Sequence, residues 1–200
     1  IFTIGDAMLQ HCVPYGKNPY INLLGYGRGE NVTSYPEYGY HRAEELLGQL
    51  HRLADVILVV CTSNLDNYLT AAALRRADLT LRIVNADPKS MLYYQSAAPL
   101  LRRDPGYRYD EQINVLNNIL LSQDPTPVKE VVGEIDYLLP AMPELKKQYD
   151  SARLPDTVFG RTARQYVMAI KKLVKEVILH EPEHGIIHRK SPLGGVSGTA

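Results

Sequence analysis

Near its carboxyl end the chain reads His180-Glu181-Pro182-Glu183-His184, which satisfies H-E-x-x-H. On a helix that spacing puts two imidazoles on one face, where they can hold zinc while the glutamate acts as general base. Pro182 spoils the arrangement. It has no N–H to give, and its ring collides with the preceding turn, so a helix is expected to end near His180. Nothing acidic follows Glu183 to complete a ligand set, and His188 misses the spacing of the extended zincin pattern. The favoured reading is a flexible tail over 180–200 with no metal centre, in which His180, His184 and His188 would take zinc or nickel only adventitiously.

Other constellations are weaker. Gly25-Tyr26-Gly27-Arg28-Gly29 is rich in glycine, but a phosphate cradle also needs a lysine for the phosphates and a hydroxyl for Mg²⁺, and this loop has neither. Asn31-Val32-Thr33 matches a glycosylation sequon, without a secretory leader to make it meaningful. Cys61 closes an apolar run with no histidine placed beside it by the sequence, and is read as a buried structural thiol. No catalytic residue is assigned. The last helical segment carries Arg161, Arg164, Lys171, Lys172 and Lys175 against Glu176 alone. That patch could meet a DNA backbone or acidic lipid, but a solvated polar face with cations near a helix C-terminus is the preferred reading.

Composition narrows the classes. The 200 residues carry 22 Lys plus Arg and 22 Asp plus Glu, so the whole chain has no bulk attraction for nucleic acid or anionic lipid. Two cysteines far apart are no disulfide framework. The longest apolar run, 56–61, is much too short to cross a bilayer, so no membrane insertion is expected and the cytoplasm is the default location. Fourteen Tyr against 2 Phe and no Trp point to many half-buried rings with wet hydroxyls. The chain begins at Ile1 inside an apolar run, and sequence ahead of it is expected.

The elements that would position these groups alternate. Residues 1–4 read as a strand ending at Gly5-Asp6, and 13–40 as a surface excursion with a short helix around 22–24. Residues 41–53 place Ala43, Leu46, Leu47, Leu50 and Leu53 on one helical face. The β-branched run 56–61 is expected to be a central parallel strand covered on both faces. A helix over 66–76, a strand over 79–84, and a helix opened by Asp87-Pro88 follow. Strands at 112–120 and 137–139, short helices at 127–134 and 143–152, and a final helix over 159–179 complete the reading. Strand–helix alternation of this kind means βαβ units and a parallel sheet.

The segment 55–92 resembles the ParA/MinD group of deviant Walker ATPases. The order runs from the strand Asp55–Val60, through Cys61-Thr62-Ser63-Asn64 and Leu74-Arg75-Arg76-Ala77-Asp78, to the strand at 79–84 and Asp87-Pro88-Lys89-Ser90. Further on, Ile113-Asn114-Val115-Leu116-Asn117-Asn118 and Leu138-Leu139-Pro140-Ala141-Met142-Pro143-Glu144 look like the family's base-lining segments. The resemblance implies an α/β fold: a mostly parallel, doubly wound sheet with helices on both faces, with Rossmann-like layering as in P-loop NTPases. One domain over 1–179 is expected. Residues implied for nucleotide are Asp6, Asn64, Asn117 and Pro140, and the ligand implied is ATP or ADP with Mg²⁺, with no cofactor otherwise required.

Two departures shape the functional expectation. The family's phosphate-binding loop is not found, and by alignment would lie before Ile1. Its Walker-B-like acid falls on Val60, where an aliphatic side chain cannot hold a Mg²⁺ water shell. The expectation is a homodimeric localisation or assembly factor with a degenerate or absent ATPase site, closest to the atypical TadZ/CpaE pilus-localisation branch and acting through protein partners. The alternative is an active ATPase of the same group. Tyr35, Tyr38 and Tyr40 are expected to offer a partner-specific surface, with DNA contact through the last helix a weaker option.

Overall fold

The computed structural model describes residues 11–16, 18–34, 37–62, 66–120, 122–151 and 159–179. Asp6, Asn64, Tyr35, the expected first strand and the histidine-bearing tail lie outside them. The chain is α/β, with a three-stranded parallel sheet and a two-stranded antiparallel one. It divides into two compact units, Ile1–Arg82 with Pro88–Asn114, and Ile83–Asp87 with Val115–Ala200.

In the first unit β1 (Cys12–Pro14) and β2 (Asn22–Leu24) form an antiparallel hairpin with Cys12 opposite Leu24 and Pro14 opposite Asn22. The sequence suggested a helix at 22–24. Three residues cannot repay helix nucleation. The connection instead turns back through Gly16, whose φ of 60° suits glycine. Tyr15 N–H then bonds Ile21 O at 2.8 Å, so the ladder runs across the hairpin.

Helix α1 (Tyr40–Leu53) buries Ala43 and Leu47, one turn apart, against Ala72 and Ala73 of α2 (Tyr68–Arg76). Alanine at these positions lets the helices approach closely. Asn67 caps α2 by accepting from Thr70 N–H at 3.0 Å. Tyr38 and Tyr40 pack on the same cluster. This corrects their assignment to a free partner surface: their rings extend the core. Helix α3 (Pro88–Leu101) starts at the proline the sequence marked, and buries Ala98 and Leu101 against Tyr109.

Residues 56–61 overturn the expectation of a covered central strand. The segment has no place in either sheet, and Val60 is 95% and Leu58 78% exposed. Strand propensity expresses packing on a pleated surface. Among the described residues this run finds neither a ladder neighbour nor a covering layer.

The sheet order is β3 (Leu81–Asn85), β4 (Ile113–Ile119), β5 (Tyr137–Pro140). Within the second unit β4 and β5 are parallel, with Val115 opposite Tyr137 and Leu116 opposite Leu138. Helices α4 (Thr126–Val132), α5 (Pro143–Asp150) and α6 (Arg161–Leu173) complete this unit. Helix α6 passes into a π-helical turn, Val174–Ile178. It packs on β5 with Leu173 and Val177 buried. Glu144 of α5 accepts from the Thr162 hydroxyl of α6 at 3.0 Å.

Candidate functional site

Parallel strands deliver their carboxyl ends to one edge, where α/β sheets bind ligands. In the second unit that edge is made by Asn85 and Ala86, the end of β4, and Pro140. Asn117 donates from Nδ2 to Asn85 Oδ1 at 3.1 Å. Gln123 donates from Nε2 to Ala86 O at 2.7 Å and accepts from Leu120 N–H at 3.4 Å. Ile119 O accepts from Ala141 N–H at 2.8 Å, which seats Pro140 against the end of β4.

A bulge shapes the edge. From Leu116 to Ile119 is three steps along β4, against two along β5 from Leu138 to Pro140. The extra residue falls at Asn117–Asn118, and Asn118 adopts φ 57°. Outside glycine, asparagine is among the residues that tolerate this region best. Bulges of this kind re-aim side chains and gather beside functional sites. Here the bulge leaves Asn118 exposed.

The two expected base-lining residues, Asn117 and Pro140, thus lie on one carboxyl edge within one unit. Val60, where the resemblance would place a metal-holding acid, is almost fully in solvent. Among the described residues no three His, Cys, Asp or Glu side chains gather closely enough to hold a metal ion. Bonded carboxamides and carbonyls can meet the edge of a planar heterocycle, but they supply no charge to balance a metal–triphosphate. The described carboxamides and carbonyls of this edge do not fit Mg²⁺-nucleotide. Cys61 is exposed, against the expectation of a buried thiol, and partial desolvation pushes its thiol up, away from the thiolate.

A second polar cluster, in the first unit, went unread in the sequence. Arg82 is only 5% exposed. Its guanidinium donates to Tyr109 O at 2.6 Å, to Asn114 Oδ1 at 3.0 Å, and from both Nε and Nη2 to Gln112 Oε1 at 3.2 and 3.0 Å. It lies 3.6 Å from the Tyr109 ring centroid, and Arg102 stands 4.7 Å from the same ring. Among the described residues no carboxylate forms an ion pair with Arg82. Neutral acceptors and a π face balance the buried charge. Burial, opposed by Arg82, pushes the nearby Tyr94 hydroxyl up to about 12, and Tyr107 rises for the same reason. One signal was available in the sequence. Arg82 stands two residues from Val84, on the same face of β3, and both are buried. These bonds tie Arg82 to the segment 109–114.

In the second unit, the Tyr137 hydroxyl donates to Glu176 Oε2 at 2.8 Å. Burial first, then this bond and the carboxylate's charge, push Tyr137 up to about 12.

No helix among the described residues is long and apolar enough to cross a membrane. Comparison of the chain with protein-family models, with curated proteins and with solved structures found no match.

Proposed function

We propose that this chain is a ParA/MinD-like localisation or assembly factor with a degenerate or absent nucleotide site, working as a homodimer through protein contacts. In this reading β3, β4 and β5 belong to a doubly wound sheet. Supporting it are the succession of strands and helices from β3 to α6, and the meeting of Asn117 and Pro140 at one carboxyl edge. The observation that carries the non-hydrolysing half is Val60. The position that calls for a metal-holding carboxylate bears a solvated aliphatic side chain.

Isothermal titration of the complete protein with Mg²⁺-ATP, read with a phosphate-release assay, tests this. Weak or absent binding without turnover is expected, and robust Mg²⁺-dependent hydrolysis would sink it. Light scattering behind gel filtration tests the dimer separately.

A second reading, an active ATPase of the same group, draws support from the Asn117–Asn85 amide pair on the bulged edge. The same titration decides between them. Replacing Asn117 by Ala would weaken ATP binding only if that carboxamide reads the base.

A further inference from the structure

Helix α6 is two-faced. At 3.6 residues per turn, Arg161, Arg164, Met168, Lys171 and Lys172 fall within an arc of about 100°, opposite the buried Ala163 and Leu173, and Lys175 follows in the π-helical turn beside the buried Val177. All six are exposed, Met168 at 70%. The stripe is about 21 Å long, with roughly one cation per turn. Between 161 and 179 the only acidic residue is Glu176, and the structure takes it off this stripe. The π-helical turn points its carboxylate at the Tyr137 hydroxyl, leaving the Glu176 side chain 11% exposed. Among the described residues only Lys172 keeps it within ion-pair range, at 3.8 Å. Arg161, Arg164, Lys171 and Lys175 make no ion pair among the described residues.

We propose that this outer face of α6 docks an acidic segment of a partner protein. Charge complementarity sets the class of partner, since five exposed cations on a helix whose one acid is turned away match carboxylates at about one per helical turn. A bilayer would require a free apolar face, and the apolar face of α6 is spent on the core. A nucleic-acid backbone has no use for Met168 at the middle of the stripe, and a chain of zero net charge has no long-range field to gather it. The inference rests on the reading of the chain as a protein-contacting factor and names the chemistry of the contact.

The experiment is a fluorescence-anisotropy titration of the full chain. The probe is a short fluorescein-labelled peptide with one Glu per helical turn and a central Leu. Duplex DNA and phosphatidylserine vesicles are titrated in parallel. Binding of the peptide is expected to weaken with added salt. It should also weaken about tenfold in Lys171→Glu/Lys172→Glu/Lys175→Glu, and less in the milder Lys171→Gln/Lys175→Gln. Tyr137→Phe, which releases Glu176, should weaken it about twofold with the circular dichroism unchanged. No peptide binding, unaltered binding in the folded variants, or tighter binding of DNA or vesicles would each overturn the proposal. Nucleotide titration and light scattering report on the broader function independently, so failure here leaves that reading to its own test.

Discussion

The guanidinium of Arg82 lies 3.6 Å from the centroid of the Tyr109 ring, and the same arginine donates to the Tyr109 carbonyl oxygen at 2.6 Å. One residue thus offers a buried cation both its π face and its backbone dipole. Gln112 and Asn114 take further donors, so a charge usually neutralised by a carboxylate is held by uncharged groups. Replacing Arg82 by Met strands those buried acceptors. We expect a loss of about 2–4 kcal/mol in urea unfolding. Arg82→Lys should recover only part, because an ammonium cannot reproduce the planar fork. A Met variant as stable as the parent would refute the network's role.

Tyr109 separates ring from hydroxyl. Its ring stacks with Arg82 and Arg102, while its hydroxyl is buried without a hydrogen-bond partner among the described residues. Tyr109→Phe removes the unmet hydroxyl and keeps the stack, so the thermal midpoint should hold or rise. Tyr109→Leu loses the π face and should lower stability by about 2 kcal/mol. Calorimetry of both variants gives opposite signs if the assignment holds.

Gly106 makes room for Arg75. A Cβ there would meet Arg75 Nε at 2.6 Å, and that side chain spans Tyr40, 5.4 Å from its ring, and Asp104, 3.6 Å away. Gly106→Ala should cost about 1 kcal/mol by pushing the guanidinium aside. The test is a double-mutant cycle, in which the penalty should shrink once Arg75 is already Ala. Equal penalties in both backgrounds would mean that the glycine serves some other purpose.

Asn118 carries the bulge of β4 at φ 57°. Asn118→Gly should be neutral or slightly stabilising, whereas Asn118→Val should lose about 1–2 kcal/mol, because a β-branched side chain resists this region. Denaturant midpoints of the pair provide the comparison.

Alkaline stability should turn on two phenols. Burial pushes Tyr94 and Tyr137 up to about 12 in the folded chain, from an ordinary value of 10.0. The folded state therefore favours their neutral forms. Their contribution is fully present below pH 10 and declines as pH rises from about 10 towards 12. Unfolding free energy measured across that window should fall. Tyr137→Phe and Tyr94→Phe should each flatten the slope, and an unchanged slope in both would show that neither ring feels its surroundings as described.

Local signals sufficed for many elements. The periodicity of residues 41–53 gave α1, Asp87-Pro88 marked the start of α3, and the short run ending at Pro140 gave β5. Each depends on contacts a few residues apart, which spacing and backbone restriction express directly. Zero net charge and the basic composition of the last helix were likewise plain from the residues. What lay beyond local reading was decided by partners distant in the chain. The run 56–61 has strand propensity, yet a strand exists only where a neighbour pairs with it, and Val60 stands in solvent. Tyr38 and Tyr40 looked like loop aromatics until Ala72 and Ala73, some thirty residues on, gave them a core to cover. Arg82 finds its acceptors at 109–114, and Glu176 is turned from the basic stripe by a tyrosine in another element. Sequence by itself determined charge, periodicity and turn chemistry. Tertiary structure alone decided which polar groups are buried and what satisfies them, because desolvation is a property of packing and not of spacing.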